Sequence, residues 1–96
     1  MHARVSTIAG SPDKIADAAA MINGEVIPSA KGMPGFAGGL FLADRETGKV
    51  VGVTLWETEE AMRASEEAAN KLREGAAQST GGGIASVERF EVIAQV

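Results

Sequence analysis

Val50-Val51-Gly52-Val53-Thr54-Leu55-Trp56-Glu57-Thr58-Glu59-Glu60-Ala61 is the stretch at which a strand pattern passes into a helix pattern. Its apolar, β-branched run up to Trp56 predicts a strand. Thr58 then offers a side-chain oxygen as a helix cap, and Glu59 and Glu60 suit the positive end of a helix that follows. Trp56 is the sole tryptophan of the chain. The junction puts it at the mouth of whatever space lies between strand and helix.

Upstream, Asp44-Arg45-Glu46-Thr47-Gly48 is a polar turn, and Phe36 to Ala43 reads as another strand. The connection is short enough that the two strands, 36–43 and 49–56, form an antiparallel hairpin. Further back, residues Ala3 to Ala9 alternate and are rich in Val, Thr and Ile, which predicts a first strand. Ser11-Pro12-Asp13 is a helix start with Ser11 as cap. The stripe Ile15, Ala18, Ala19, Ile22, Val26 has helical spacing, and this helix is expected to kink or stop near Pro28. Downstream, a second helix is expected from about Glu59 to about Ala77, with the stripe Met62, Ser65, Ala69, Leu72, Ala76. Glu59–Arg63 and Glu67–Lys71 are spaced as i,i+4 pairs, each worth ~0.2–0.5 kcal/mol. Gly81-Gly82-Gly83 is a connector, without the lysine and helix start of a phosphate loop. Ile84 to Val96 reads as the last strand, with length to spare for a tail or bend.

The order is βαββαβ. It predicts an α+β, ferredoxin-like fold with a four-stranded antiparallel sheet and both helices on one face, in a single domain spanning 1–96. Val51, Val53 and Leu55 share one face of their strand, and Gly52, Thr54 and Trp56 the other. In the preceding strand, Phe36, Gly38, Leu40 and Leu42 stand opposite Ala37, Gly39, Phe41 and Ala43. None of these faces is polar, and a strand apolar on both faces is covered on both. The helices cover one; a second subunit is the economical cover for the other.

A chain of 96 residues without cysteine and with one histidine, His2, has neither disulfides nor a thiolate or multi-histidine metal site. A domain this small commonly gains burial by association. The net charge of −4 argues against nucleic acid and anionic membrane surfaces. No segment reaches the ~18 apolar residues of a membrane span. Met1-His2-Ala3-Arg4-Val5 lacks the pattern of a secretory leader, so a cytoplasmic protein is the expectation.

Pro34-Gly35-Phe36 before the second strand and Leu55-Trp56-Glu57-Thr58-Glu59-Glu60-Ala61 at the strand–helix junction give the chain a family likeness. It resembles the antibiotic biosynthesis monooxygenase-like group of the dimeric α/β-barrel superfamily. The resemblance implies two sheets paired face to face in a homodimer barrel, and an apolar pocket between each sheet and its helices. It implies a small apolar or aromatic ligand and, by analogy with the group's cofactor-independent oxygenases, no cofactor. The haem-degrading branch carries an asparagine, a tryptophan and a histidine at positions that fall near Ala3, Ser65 and Glu74 here, and none matches. The polyketide oxygenases lean on polar and aromatic pocket residues, including tyrosine, and this chain has no tyrosine.

Within that pattern Trp56 and Arg89 are the candidate catalytic residues. Trp56 could stack on a planar ligand or donate its indole N–H; equally, it is a core residue holding strand to helix. Arg89, like Arg4, lies on a strand and could meet an anionic or enolate oxygen, or an exposed face or a salt bridge. Met21, Phe36, Phe41, Thr54, Met62 and Phe90 are the candidate ligand-lining residues, against ordinary packing. His2 could serve as a base, or lie frayed at a sheet edge. Two functions compete. One is a cofactor-independent monooxygenase acting on a small aromatic or polyketide-like phenol or enol. The other is a non-catalytic dimer that binds a small ligand or a partner. An RNA-recognition module shares the element order, but the acidic charge and the first strand's lack of aromatics argue against it.

Overall fold

The computed structural model describes all 96 residues. Four strands, β1 (His2–Ala9), β2 (Phe36–Ala43), β3 (Val50–Trp56) and β4 (Gly83–Glu91), form one antiparallel sheet in the order β2-β3-β1-β4. The helices are α1 (Ile15–Met21), α2 (Ile27–Lys31), α3 (Glu59–Ala64) and α4 (Glu66–Ser79). This is the expected α+β ferredoxin-like arrangement.

The first helical passage departs from expectation in an informative way. It opens with a 3-10 turn, Pro12–Lys14, and Ser11 makes no capping bond; its hydroxyl donates to Asp13 instead. Between α1 and α2 the chain widens into a π-helical segment, Ile22–Val26, in which the Ile27 N–H reaches Ile22 O. Pro28 has no N–H to give and its ring crowds the preceding turn, so a widened turn just before it lets the helix continue to Lys31. The helix does not stop at Pro28.

The second passage starts where Thr58 predicts: its Oγ1 accepts from the Ala61 N–H at 3.0 Å. It then divides at Ser65, whose hydroxyl donates to Met62 O at 2.7 Å, giving α3 and α4 in place of one helix. Arg63 pairs with Glu59 at 2.5 Å; Glu67 and Lys71 form no such bridge. The last strand is shorter than expected. Val92 N–H donates to Met1 O at 2.9 Å, and beyond it β1 offers no further partner, so Ile93 is 92% exposed.

Cross-strand register sets the faces. Arg4 pairs with Thr54, Ser6 with Gly52 and Ile8 with Val50, all on the side covered by helices. In β2 the register shifts between Phe36 and Gly38. The extra residue, Ala37, makes a bulge, accommodated by Gly38 at φ 131°. Its consequence corrects the simple alternation: Phe36 joins Phe41 on the helix side, while Leu40 and Leu42 stay on the far side. Ile8, Ala18, Ile22, Val50, Ala76 and Ala77 form the core between sheet and helices. No helix is long and apolar enough to cross a membrane.

Candidate functional site

Trp56 ends β3 on the helix side and is 1% exposed. Its ring meets Phe36 edge-on, with centroids 5.5 Å apart and planes at 73°. Residues two apart on a strand share a face, and the indole Nε1 donates to Thr54 Oγ1 at 3.0 Å. The indole donor is therefore spent inside the protein. The Arg4 guanidinium carbon lies 5.4 Å from the ring centroid, in cation–π range.

Arg4 is 3% exposed. Its Nη2 donates to Met62 O at 2.7 Å and Ser65 Oγ at 2.6 Å, and its Nε to Glu66 Oε1 at 3.2 Å. Glu66 also takes a two-point contact from Arg89, Nε to Oε1 at 2.8 Å and Nη2 to Oε2 at 2.7 Å. The hydrogen bonds from Arg89, helped by the charge of Arg4 and opposed by burial, hold the Glu66 carboxyl below its ordinary pKa. Burial lowers the pKa of Arg4, with Glu66 opposing.

Arg73, on α4, completes the group and is 8% exposed. Its Nε donates to Ser6 Oγ at 3.1 Å and its Nη1 to Asn70 Oδ1 at 2.9 Å. Both partners are neutral, and no carboxylate lies within 4.0 Å of its guanidinium. Burial first, then the positive charge of Arg4, pushes its pKa down. Two guanidiniums thus share one carboxylate, with a third near enough to feel both but bound to neither.

Arg4 and Arg73 of this group line a half-open cavity of about 70 Å³ between sheet and helices. Ile8, Ile22, Val26, Phe41, Val50 and Leu72 are among its apolar walls; Arg4, Thr54, Trp56 and Arg73 are its polar ones. By such a measure one water needs roughly 10–15 Å³, so the space holds a few waters or a single small ring. Phe41 packs an edge of its ring against Gly52, where a Cβ would come within 2.8 Å of it. The π-helical turn supplies Ile22 and Val26, and such turns recur at functional sites. No Asp, Glu or His lines the cavity. A shallower groove of about 250 Å³ between α1 and β2 shares Ile22, Phe41 and Val50 with it.

Of the candidates read from sequence, Trp56, Thr54 and Phe41 come together in the cavity wall. Phe36 braces Trp56 from behind. Met62 is buried, and its carbonyl anchors Arg4. Met21 packs against the core and over Gly75. Arg89 stands at the rim, 45% exposed and paired to Glu66. Phe90 lies across from Ala3 on the far face, 49% exposed. His2 sits beside Trp56 across the strands, its Nε2 3.8 Å from Glu59 and its Nδ1 buried without a partner, outside the cavity. No cluster of three or more His, Cys, Asp or Glu side chains could hold a metal. Arg73 was not among the candidates. Its signal was present: it falls four residues after Ala69 and three before Ala76, on the buried stripe of the helix.

No family model matches the chain. It is 36% identical over 94 residues to Rv2557 and 34% identical over 92 residues to Rv2558, both uncharacterized proteins of Mycobacterium tuberculosis. The matches take in 98% and 96% of this chain but 42% and 39% of those proteins, so the chain spans about two fifths of their length. Among solved structures, a monooxygenase from the gene ActVA-Orf6 of Streptomyces coelicolor, bound to nanaomycin D, superposes with a TM-score of 0.77 at 21% identity. That alignment covers 99% of this chain and 89% of the other. A Deinococcus radiodurans protein provisionally named an antibiotic biosynthesis monooxygenase also gives 0.77, at 13% identity, covering 100% and 96%. At these identities the likeness is one of fold.

Proposed function

We propose that this chain, which has the fold of the antibiotic biosynthesis monooxygenases, binds a small aromatic phenol or enol in the Trp56 cavity and oxygenates it without a cofactor. The observation that carries the reading is a half-open apolar space between sheet and helices, with the buried arginines Arg4 and Arg73 among its lining residues. Apolar walls with a few convergent polar groups are the usual make-up of a small-molecule site. The structural neighbour that binds nanaomycin D lends support by analogy of fold.

An enolisable CH2 loses a proton, dioxygen adds at the carbanion, and loss of water from the resulting hydroperoxide leaves C=O. One CH2 and one O2 become one C=O and one H2O. The protein's part is to orient the ring against Trp56 and Phe41, exclude water, and hold the developing oxyanion at a guanidinium. Arg89 enters as a positioning residue, since it holds Glu66, which holds Arg4. With no Asp, Glu or His in the wall, the proton leaves a substrate that is itself acidic. The space of about 70 Å³ favours one ring over a fused polyketide. A second copy of the chain, covering the far sheet face around Leu40, Leu42 and Phe90, belongs to the same reading.

The missing base and the occupied indole N–H favour one alternative, a non-catalytic binder of the same ligands. Oxygen uptake with a panel of one-ring hydroquinones and cyclic enols separates the two. Turnover that falls in Trp56→Phe and Arg73→Met supports the oxygenase. Wild-type uptake no faster than buffer, with ligands still bound, leaves the binder.

A further inference from the structure

Arg73 is the one charged side chain of the site without a charged partner. Arg4 and Arg89 share Glu66, but Arg73 is held only by Ser6 and Asn70, both neutral. Glu66 and, less strongly, Glu74 act on it only from beyond bonding distance. A cation 8% exposed with no counter-ion beside it costs free energy that a neutral side chain in the same place does not. Arg4 adds to the cost, because the like charges repel. The hydrogen bonds also leave donors over. Nη1 of Arg4 and Nη2 of Arg73 carry none of the bonds that fix the two side chains. Both residues line the same cavity, whose other walls are almost wholly apolar.

Resting on the reading of this cavity as a ligand site, we infer that its ligand is a one-ring carboxylic acid, bound as the carboxylate between Arg4 and Arg73 with its ring against Trp56 and Phe41. The chemistry follows from the parts. Two cationic donors on a largely apolar wall match the two oxygens of a carboxylate, and such charge-assisted bonds are short and strong. The bound anion would supply the counter-ion that Arg73 lacks within the chain. The apolar walls and the volume of about 70 Å³ set the remainder of the ligand as one small ring.

Trp56 is the only tryptophan and lines the cavity, so its fluorescence reports occupancy of this site. The test titrates the full chain with benzoate and with its neutral isostere benzamide, at low salt. Benzoate is expected to bind tighter by about tenfold or more, the scale of a hydrogen bond to a charged group. That preference should vanish in Arg73→Gln and survive in Arg73→Lys. If benzamide binds as well as benzoate, the carboxylate inference is overturned while the ligand site stands. If neither quenches Trp56 at millimolar concentration, both fall together. A preference that persists in a folded Arg73→Gln removes Arg73 from the site. The wild-type comparison decides even if that variant does not fold.

Discussion

The two faces of the sheet differ: the covered one sets buried charge beside an apolar core, and the uncovered one presents large apolar side chains. The covered face holds Arg4, Ser6 and Thr54, with Arg73 reaching in from α4. The uncovered face presents Leu40, Leu42 and Phe90, which are 53%, 51% and 49% exposed. An antiparallel sheet with one wet side ordinarily turns its apolar residues inward and its polar ones out. Here charge sits under the helices and leucine faces out. The difference teaches that the helix side is more than a core, since a core gains nothing from an unpaired cation. The far side carries large apolar side chains with nothing over them in the single chain.

Trp56→Ala should be the most damaging way to break the contrast. It removes the partner of Phe36, the acceptor surface for Arg4 and the end of the Thr54 bond at once. A loss of about 3–5 kcal/mol is expected in urea denaturation, enough to unfold much of a domain this small. Arg4→Met comes next. It strips a cation from Met62 O, Ser65 and Glu66, but Glu66 keeps Arg89 and some solvent, so a loss of about 2–3 kcal/mol is expected in the same assay. If Arg4→Met proves neutral, the polar cluster holds nothing together.

The far face is broken separately. Leu40→Lys should dissociate a wild-type dimer in analytical ultracentrifugation while leaving the monomer's circular dichroism unchanged. A wild-type chain that is monomeric at all concentrations would leave the exposed leucines without the role given them. The smallest effect concerns Glu66. Its folded pKa is depressed below the ordinary 4.5, chiefly by Arg89. Its contribution to stability is therefore present above about pH 4.5 and is lost as pH falls through the folded value. Glu66→Gln should flatten that part of the acid stability curve and leave the rest of its shape alone.

Much of this contrast was legible in the chain. Thr58 marked the start of α3, and the short turn at 44–48 paired β2 with β3. Trp56 marked the cavity because a lone large aromatic at a strand–helix junction has few other places to go. Other features depend on contacts that no local pattern encodes. The bulge at Ala37 moves Phe36 to the helix side and is set by pairing across to β3. The π-helical turn before Pro28 is one of several ways to accommodate a proline. Arg89 and Arg4 read alike as strand arginines, yet one ends exposed at the rim and the other nearly sealed, because β4 is an edge strand and β1 an inner one. Arg73 was hidden by its own charge, since an arginine on a helix is ordinarily taken for the wet side even where its spacing places it on the buried stripe.

The most direct test sets Arg73→Met against wild type in urea denaturation without ligand. A residue kept for an anion costs stability while it waits, so Arg73→Met is expected to be as stable as wild type or more so, by up to about 1–4 kcal/mol. A variant less stable than wild type by more than about 2 kcal/mol would make Arg73 a structural tie to Ser6 and Asn70, and would contradict a cavity built to take an anion.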